Sequence, residues 1–147
     1  MSAASTHRRL PAALGIDELL ESAGRDLGCT EWRRVEPSQL ADFAAATAAP
    51  VPAPGDAAPP LFVLALTNLF LPQLLLVHDA ANGVNYGAGE IRFPAAVQAG
   101  DRLRACARVL GATETAGGVQ TTIEIRVDVE GGGAPACVVQ SLSRWLR

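Results

Sequence analysis

Residues 61–77 run for seventeen positions without a charge, and from residue 83 onward the chain reads as strands. A helix that is apolar on every face has to be surrounded by something. A bilayer would ask for about 20 such residues. Asn68, Pro72 and Gln73 interrupt the run, and amphipathic segments follow it. The pattern therefore predicts one long helix buried inside a soluble domain and wrapped by the sheet that comes after it. With short helices first, then this helix, then antiparallel strands, the chain is expected to be an α+β domain. Its 147 residues suffice for one such core.

The strands are the most legible part. Residues 102–109 alternate strictly, with Leu103, Ala105, Ala107 and Val109 on one face and Arg102, Arg104 and Arg108 on the other. Residues 121–129 do the same, with Ile123, Ile125, Val127 and Val129 inward and Glu124, Arg126 and Asp128 outward. Gly117-Gly118 lies near the turn, so the two form a hairpin. A register that sets Arg108 opposite Glu124 also sets Arg104 opposite Asp128 and Arg102 opposite Glu130. Such exposed pairs are worth only about 0.2–1 kcal/mol each, so they select register and mark a solvated face. Residues 83–97, broken by Gly87, Gly89 and Pro94, predict a bent strand or two short ones, and 136–146 a last strand.

Upstream, residues 1–13 read as a loose leader and 14–147 as the domain. Ile16, Leu19, Leu20 and Ala23 recur at helical spacing over 16–27. A short extended piece at 32–35 precedes a second helix with Pro37 in its first turn and Leu40, Phe43, Ala44 and Thr47 as its apolar stripe. Residues 48–60 hold five prolines in thirteen positions, which forbids a regular helix or a central strand. Too few residues precede this stretch to make a second domain, so it reads as a loop laid over the first.

Composition then excludes chemistry. All twelve cations are arginine, which removes a Schiff-base lysine and a P-loop. The two histidines, His7 and His78, cannot build a multi-histidine metal site, and no cofactor is expected. A net charge of −3 without a basic run gives no footprint for nucleic acid. Gly87 and Gly89 are too closely spaced for a dinucleotide fingerprint. Cys29, Cys106 and Cys137 share no metal-ligand spacing, and an odd number suits no closed disulfide framework. With no apolar core in residues 1–9, the expectation is a reducing, cytoplasmic setting in which Cys106 and Cys137 are small packing residues.

Gly83-Val84-Asn85-Tyr86-Gly87, Ile91-Arg92-Phe93-Pro94 and Val97-Gln98-Ala99-Gly100-Asp101 together carry a resemblance. They resemble the MaoC-like dehydratases, and within these the nodulation-protein-N-like branch related to (R)-specific enoyl-CoA hydratases. Trp32, Phe43-Ala44-Ala45-Ala46-Thr47, Leu71-Pro72 and Pro135-Ala136-Cys137 extend it over residues 20–146. The resemblance implies a hotdog fold, dimerisation and acyl-thioester substrates. It breaks where the family's catalytic Asp/His motif belongs. There the helix ending in Ala-Thr is followed by Gly-Asp and then an Ile-His-x-Asp segment, whereas here Thr47 is followed by Ala48-Ala49-Pro50. The family's Ala-His-Gly at the start of the central helix is matched by Phe62-Val63-Leu64.

What remains is a short set of candidates. Asp56 is the only ionisable side chain between Phe43 and Val77, and it is either an acid or base, the support of a Gly-Asp turn, or the cap of a helix start. The helix start at Leu61 and Phe62 is expected to present free amides to an enolate oxygen. Asn68 either binds substrate or satisfies backbone beside Pro72. The resemblance puts Asn85 and Tyr86 in the pocket of a partner subunit, and Tyr86 is the one phenol in the chain. His78 stands about 25 Å from the helix start and reads as a cap of the helix C-terminus. The leading function is a repurposed hotdog enzyme that dehydrates, isomerises or cyclises an acyl-thioester or polyketide-like intermediate, carried on coenzyme A or a carrier protein. The alternatives are a non-catalytic subunit of a heteromeric hydratase, as homodimer or heterodimer with another hotdog, and a small-molecule binding module.

Overall fold

The computed structural model describes residues 10–147; His7 and most of the expected leader lie outside them. The leader ends earlier than the composition suggests, because strand β1, Ala12–Leu14, already pairs in parallel with β4, Leu75–Val77. Strand β2 is Asp26–Cys29 and β3 Arg33–Arg34. Helix α1 spans Pro37–Thr47, α2 Pro60–Ala65 and α3 Thr67–Leu74. The remaining strands are β5, Asn82–Arg92; β6, Arg102–Thr115; β7, Gly118–Val129; and β8, Cys137–Leu146. They form an antiparallel sheet in the order β2-β6-β7-β8-β5, with β3 also on β6.

The hairpin keeps the register that its charges dictate. Arg108 opposes Glu124, Arg104 opposes Asp128, and Arg102 reaches Glu130 at 3.0 Å. Leu103, Ala105, Ala107, Val109, Ile123, Ile125 and Val127 are buried. Their face meets α2 and α3 through Phe62, Phe70 and Leu74 in one hydrophobic cluster. Strand β5 is the bent one, with bulges after Asn85 and after Ala88, and it lies at the sheet edge with all its residues exposed.

Three expectations are corrected. Residues 16–27 are not a helix: a 3-10 turn at Glu18–Glu21 buries Leu19, and β2 follows. Gly24 and Gly28, both at positive φ, end the helical spacing after a single turn. The central helix is not one rod of seventeen residues. Its ladder tightens at Leu66, where the Thr67 hydroxyl donates to the Leu64 carbonyl at 2.7 Å, and it stops at Leu74. Beyond it the chain is extended, burying Leu75 and Val77 while Leu76 stays exposed. Thr47 is also exposed and returns its hydroxyl to the Phe43 carbonyl.

The cysteines give the fourth correction. Cys29 and Cys106 form a disulfide across β2 and β6, leaving Cys137 buried and free. With residues 26–29 a strand, Cys29 falls directly opposite Cys106, which overrides the expectation drawn from the odd cysteine count. Burial pushes the Cys137 thiol up from 9.0 to about 11. A raised folded-state value favours folding below the unfolded value, and that contribution is lost as pH climbs from 9.0 to about 11. Stability measured by denaturant titration is therefore expected to fall across this window, and Cys137→Ala to flatten the fall.

Helix α1 is bounded by local chemistry. Glu36 and Gln39 form a capping box, the Gln39 side chain accepting the Glu36 N–H at 2.9 Å. At the other end Ala48 adopts the left-handed conformation, φ 54°, a cap position at which glycine is the usual occupant. An L-residue there costs about 1–2 kcal/mol. Ala48→Gly is accordingly expected to stabilise the protein by up to about 1 kcal/mol, read from the urea midpoint.

Candidate functional site

Two grooves flank the central helices. The first, about 480 Å³, lies between the proline-rich strap, the start of α2 and the segment after β5. Its walls are apolar, with Val51, Val63, Phe93 and Val97 among them, and Asp56 is the one ionisable side chain lining it among the described residues. The strap is pinned at its far half. Ala57 bridges to Gln98, the Gln98 side chain donates to the Gly55 carbonyl at 3.0 Å, and the Ala58 N–H donates to the Val97 carbonyl.

Asp56 closes a turn at this groove. Its Oδ2 accepts the Ala53 N–H at 2.9 Å, while its own N–H donates to the Ala53 carbonyl at 2.9 Å. Gly55, at φ +90°, makes the turn possible. The carboxylate is thus both a turn support and the sole charge at the groove.

The start of α2 is poorer in donors than the sequence suggests. Pro60 has no N–H, and the Phe62 N–H is taken by the Pro59 carbonyl at 2.9 Å, so the Leu61 N–H is what this end offers. The Leu61 side chain is exposed. Phe62 is buried and packs edge-on against Phe43, ring centroids 5.7 Å apart. It is the neighbouring Val63 that lines the groove, a residue the sequence reading noted only as the replacement for a histidine.

The second groove, about 380 Å³, runs between α3, β4 and β5. Asn68 and Asn85 meet here, the Asn85 Nδ2 donating to the Asn68 Oδ1 at 2.6 Å. Ser143 and Trp145 of β8 complete the lining. Gly83 makes room for the indole, since a Cβ there would stand 2.8 Å from the Trp145 ring. The sequence singled out Gly83 as part of a pattern, but the pairing with Trp145 needed the register of β5 on β8.

Tyr86 does not join them. At the bulge between Asn85 and Gly87 its ring lies under the Arg144 guanidinium, 3.5 Å from carbon to centroid. Asp56 lines the first groove and Asn68 and Asn85 the second, with no lining residue in common. His78 is exposed at the far end, its N–H donating to the Leu14 carbonyl, and the adjoining Asp79 accepts the Ile16 N–H at 2.7 Å. Among the described residues no cluster of His, Cys, Asp and Glu could hold a metal ion. Nor is any helix long and apolar enough to cross a membrane.

The sheet curled over a helix with a groove at each flank is a hotdog domain, and comparison with known proteins supports this. No family model matches the chain. A curated 3-hydroxyacyl-thioester dehydratase Z of Mycobacterium tuberculosis is 31% identical over 144 residues, covering 89% of this chain and 95% of that protein. A solved MaoC-like dehydratase from Rhodospirillum rubrum superposes with a TM-score of 0.68 at 18% identity, over 91% of this chain and 97% of that one. The HadBC (3R)-hydroxyacyl-ACP dehydratase complex of M. tuberculosis gives 0.62 at 17% identity, over 84% and 96%. The chain belongs to the 3-hydroxyacyl-thioester dehydratase family.

Proposed function

We propose that this chain holds an acyl thioester as one half of a two-hotdog assembly, and that the other half supplies the acid and base of reversible hydration. The first groove carries this reading: apolar walls around about 480 Å³, with one carboxylate and no second titratable group lining it among the described residues. Hydration of an enoyl thioester needs a base on the attacking water and an acid at the α carbon. Where the family resemblance places that pair, this chain has Ala48-Ala49-Pro50 and Phe62-Val63-Leu64. Similarity to a dehydratase that is itself a two-component complex supports the paired arrangement. So does β5, an edge strand with Val84 and Ile91 exposed and one side of its ladder open to another chain. The substrate is an enoyl or 3-hydroxyacyl group on coenzyme A or a carrier protein, with polyketide-like intermediates within the class.

One observation favours a second reading, a stand-alone enzyme that isomerises, cyclises or dehydrates without the usual pair: Asp56 stands at the groove itself. Calorimetric titration with crotonyl-CoA separates the two roles of this groove. Val63→Trp, which fills it, is expected to abolish binding. Asp56→Asn, which keeps the turn's acceptor, is expected to leave binding within about twofold, as for a residue outside the recognition of an acyl chain. Binding that survives Val63→Trp would remove the groove from the account.

A further inference from the structure

The disulfide between Cys29 and Cys106 lines neither groove. Ala105 and Ala107 are buried against the helices, so alternation along β6 turns Cys106 to the outer face of the sheet. Both cysteines are half-buried there. Beside them lies a further hollow of about 360 Å³, lined by Trp32, Arg104, Arg126 and Asp128 and by the glycine turn at 131–133. The Cys106 Sγ stands 3.9 Å from an Asp128 oxygen, and Cys106 opposes Arg126 in register, so the bond borders this hollow. Two guanidiniums face one carboxylate in it. Arg126 takes up Asp128, with contacts at 3.0 and 3.3 Å. Arg104 is stacked on Trp32 and comes no nearer to Asp128 than 3.8 Å, and its Nε is buried without a hydrogen-bond acceptor among the described residues. A buried donor left unpaired is costly, and a carboxylate brought by a ligand would satisfy both the donor and the surplus charge.

We infer that Cys29 and Cys106 form a thiol-exchange site served by a carboxylate-bearing low-molecular-weight thiol, whose carboxylate pairs with Arg104 while its sulfur reaches the bond. The small thiolate attacks one sulfur, a mixed disulfide forms as the Cys29–Cys106 bond breaks, and the other cysteine leaves as a thiolate. A second small thiolate attacks the mixed disulfide and releases the first cysteine. The two small thiols are thereby oxidised to their own disulfide, and the protons they lost are taken up by the two cysteine thiolates. The reverse sequence, run by the oxidised small thiol, closes the bond again. The site stands apart from the acyl-thioester reading. It ties the stability of the fold to the surrounding thiol poise, because the bond joins residues 77 apart in sequence.

The test exposes the folded, oxidised chain without denaturant to 3-mercaptopropionate or to 2-mercaptoethanol, which lacks the carboxylate. Maleimide then traps freed thiols, and mass spectrometry of the chain and its peptides reads the adducts, with rates compared per thiolate. Cys29 and Cys106 are expected to react while buried Cys137 stays unlabelled. The carboxylate thiol is expected to be about tenfold faster, the low end of steering by a local charge. The chain's net charge of −3 would by itself favour 2-mercaptoethanol, so the preference reports the hollow. Arg104→Gln is expected to bring the ratio of the two rates close to one, whereas a merely structural role for Arg104 would change both rates alike and keep the ratio. Thermal unfolding shows whether that variant folds; if it does not, Arg126→Gln, which frees Asp128 to take Arg104, reads the same ratio. Equal rates in the wild type, or a preference that persists in the variant, would overturn the assignment. So would labelling of Cys137 in step with the other two, because the bond would then open only through global unfolding.

Discussion

Replacing Cys29 and Cys106 together by serine is expected to lower the unfolding free energy by about 4 kcal/mol. The bond joins residues 77 apart in sequence, so it removes a long loop's freedom from the unfolded chain. Loop-closure entropy for that length amounts to about 4–5 kcal/mol at room temperature. Two native contacts around it do not involve the sulfur atoms and are expected to survive the substitution. Thr30 exchanges hydrogen bonds with Ala105, at 2.8 and 3.0 Å, and Trp32 lies against the Arg104 guanidinium. The loss should therefore appear as a shifted urea midpoint without a changed native spectrum. Wild-type protein unfolded in the presence of a dithiol reductant should give the same midpoint as the double variant. A shift below about 1 kcal/mol would contradict the loop-closure account of this bond.

Phe70→Ala is the second large expected effect. Phe70 is 1% exposed on α3, within the cluster that joins the helices to the sheet. Truncating a buried phenylalanine costs about 3–5 kcal/mol, from lost transfer energy and the cavity left behind. Its neighbour Leu69 is 38% exposed. Leu69→Ala should cost under about 1 kcal/mol, the usual scale for a surface truncation. Chemical denaturation of the two variants side by side measures which face of α3 is inward. Equal losses would contradict the packing described above.

The sheet was legible in the sequence because two independent signals agree on it. Alternation put Leu103 and Ile123 inward, and the arginine and acid positions selected one register out of several. The N-terminal segment was not legible, since Leu19 and Leu27 are spaced for a helix and are buried by a 3-10 turn and a strand instead. The disulfide was missed because the odd cysteine count and an expected reducing setting argued against pairing, while the strand that sets Cys29 opposite Cys106 was not read. The end of the central helix was hidden by composition: Leu74, Leu75 and Val77 are equally apolar whether helical or extended, and only pairing with β1 decides. For the site, the sequence located Asn68 and Asn85 separately but not their contact, which depends on a helix and a strand brought together at long range. Tyr86 was grouped with Asn85 by the family resemblance, yet its ring lies against Arg144 while Asn85 meets Asn68. Val63 was concealed by its blandness, as one apolar residue in a run of seventeen.

On the proposed reading, this chain holds a thioester without carrying both the acid and the base. Hydration of crotonyl-CoA by the purified chain alone, measured at concentrations that saturate its binding, tests this most directly. The predicted result is saturable binding with no turnover above the uncatalysed rate, and turnover once a hotdog subunit bearing an intact Asp/His pair is added. Turnover by the chain alone that disappears in Asp56→Asn would contradict it, and would make Asp56 the catalytic group of a self-sufficient enzyme.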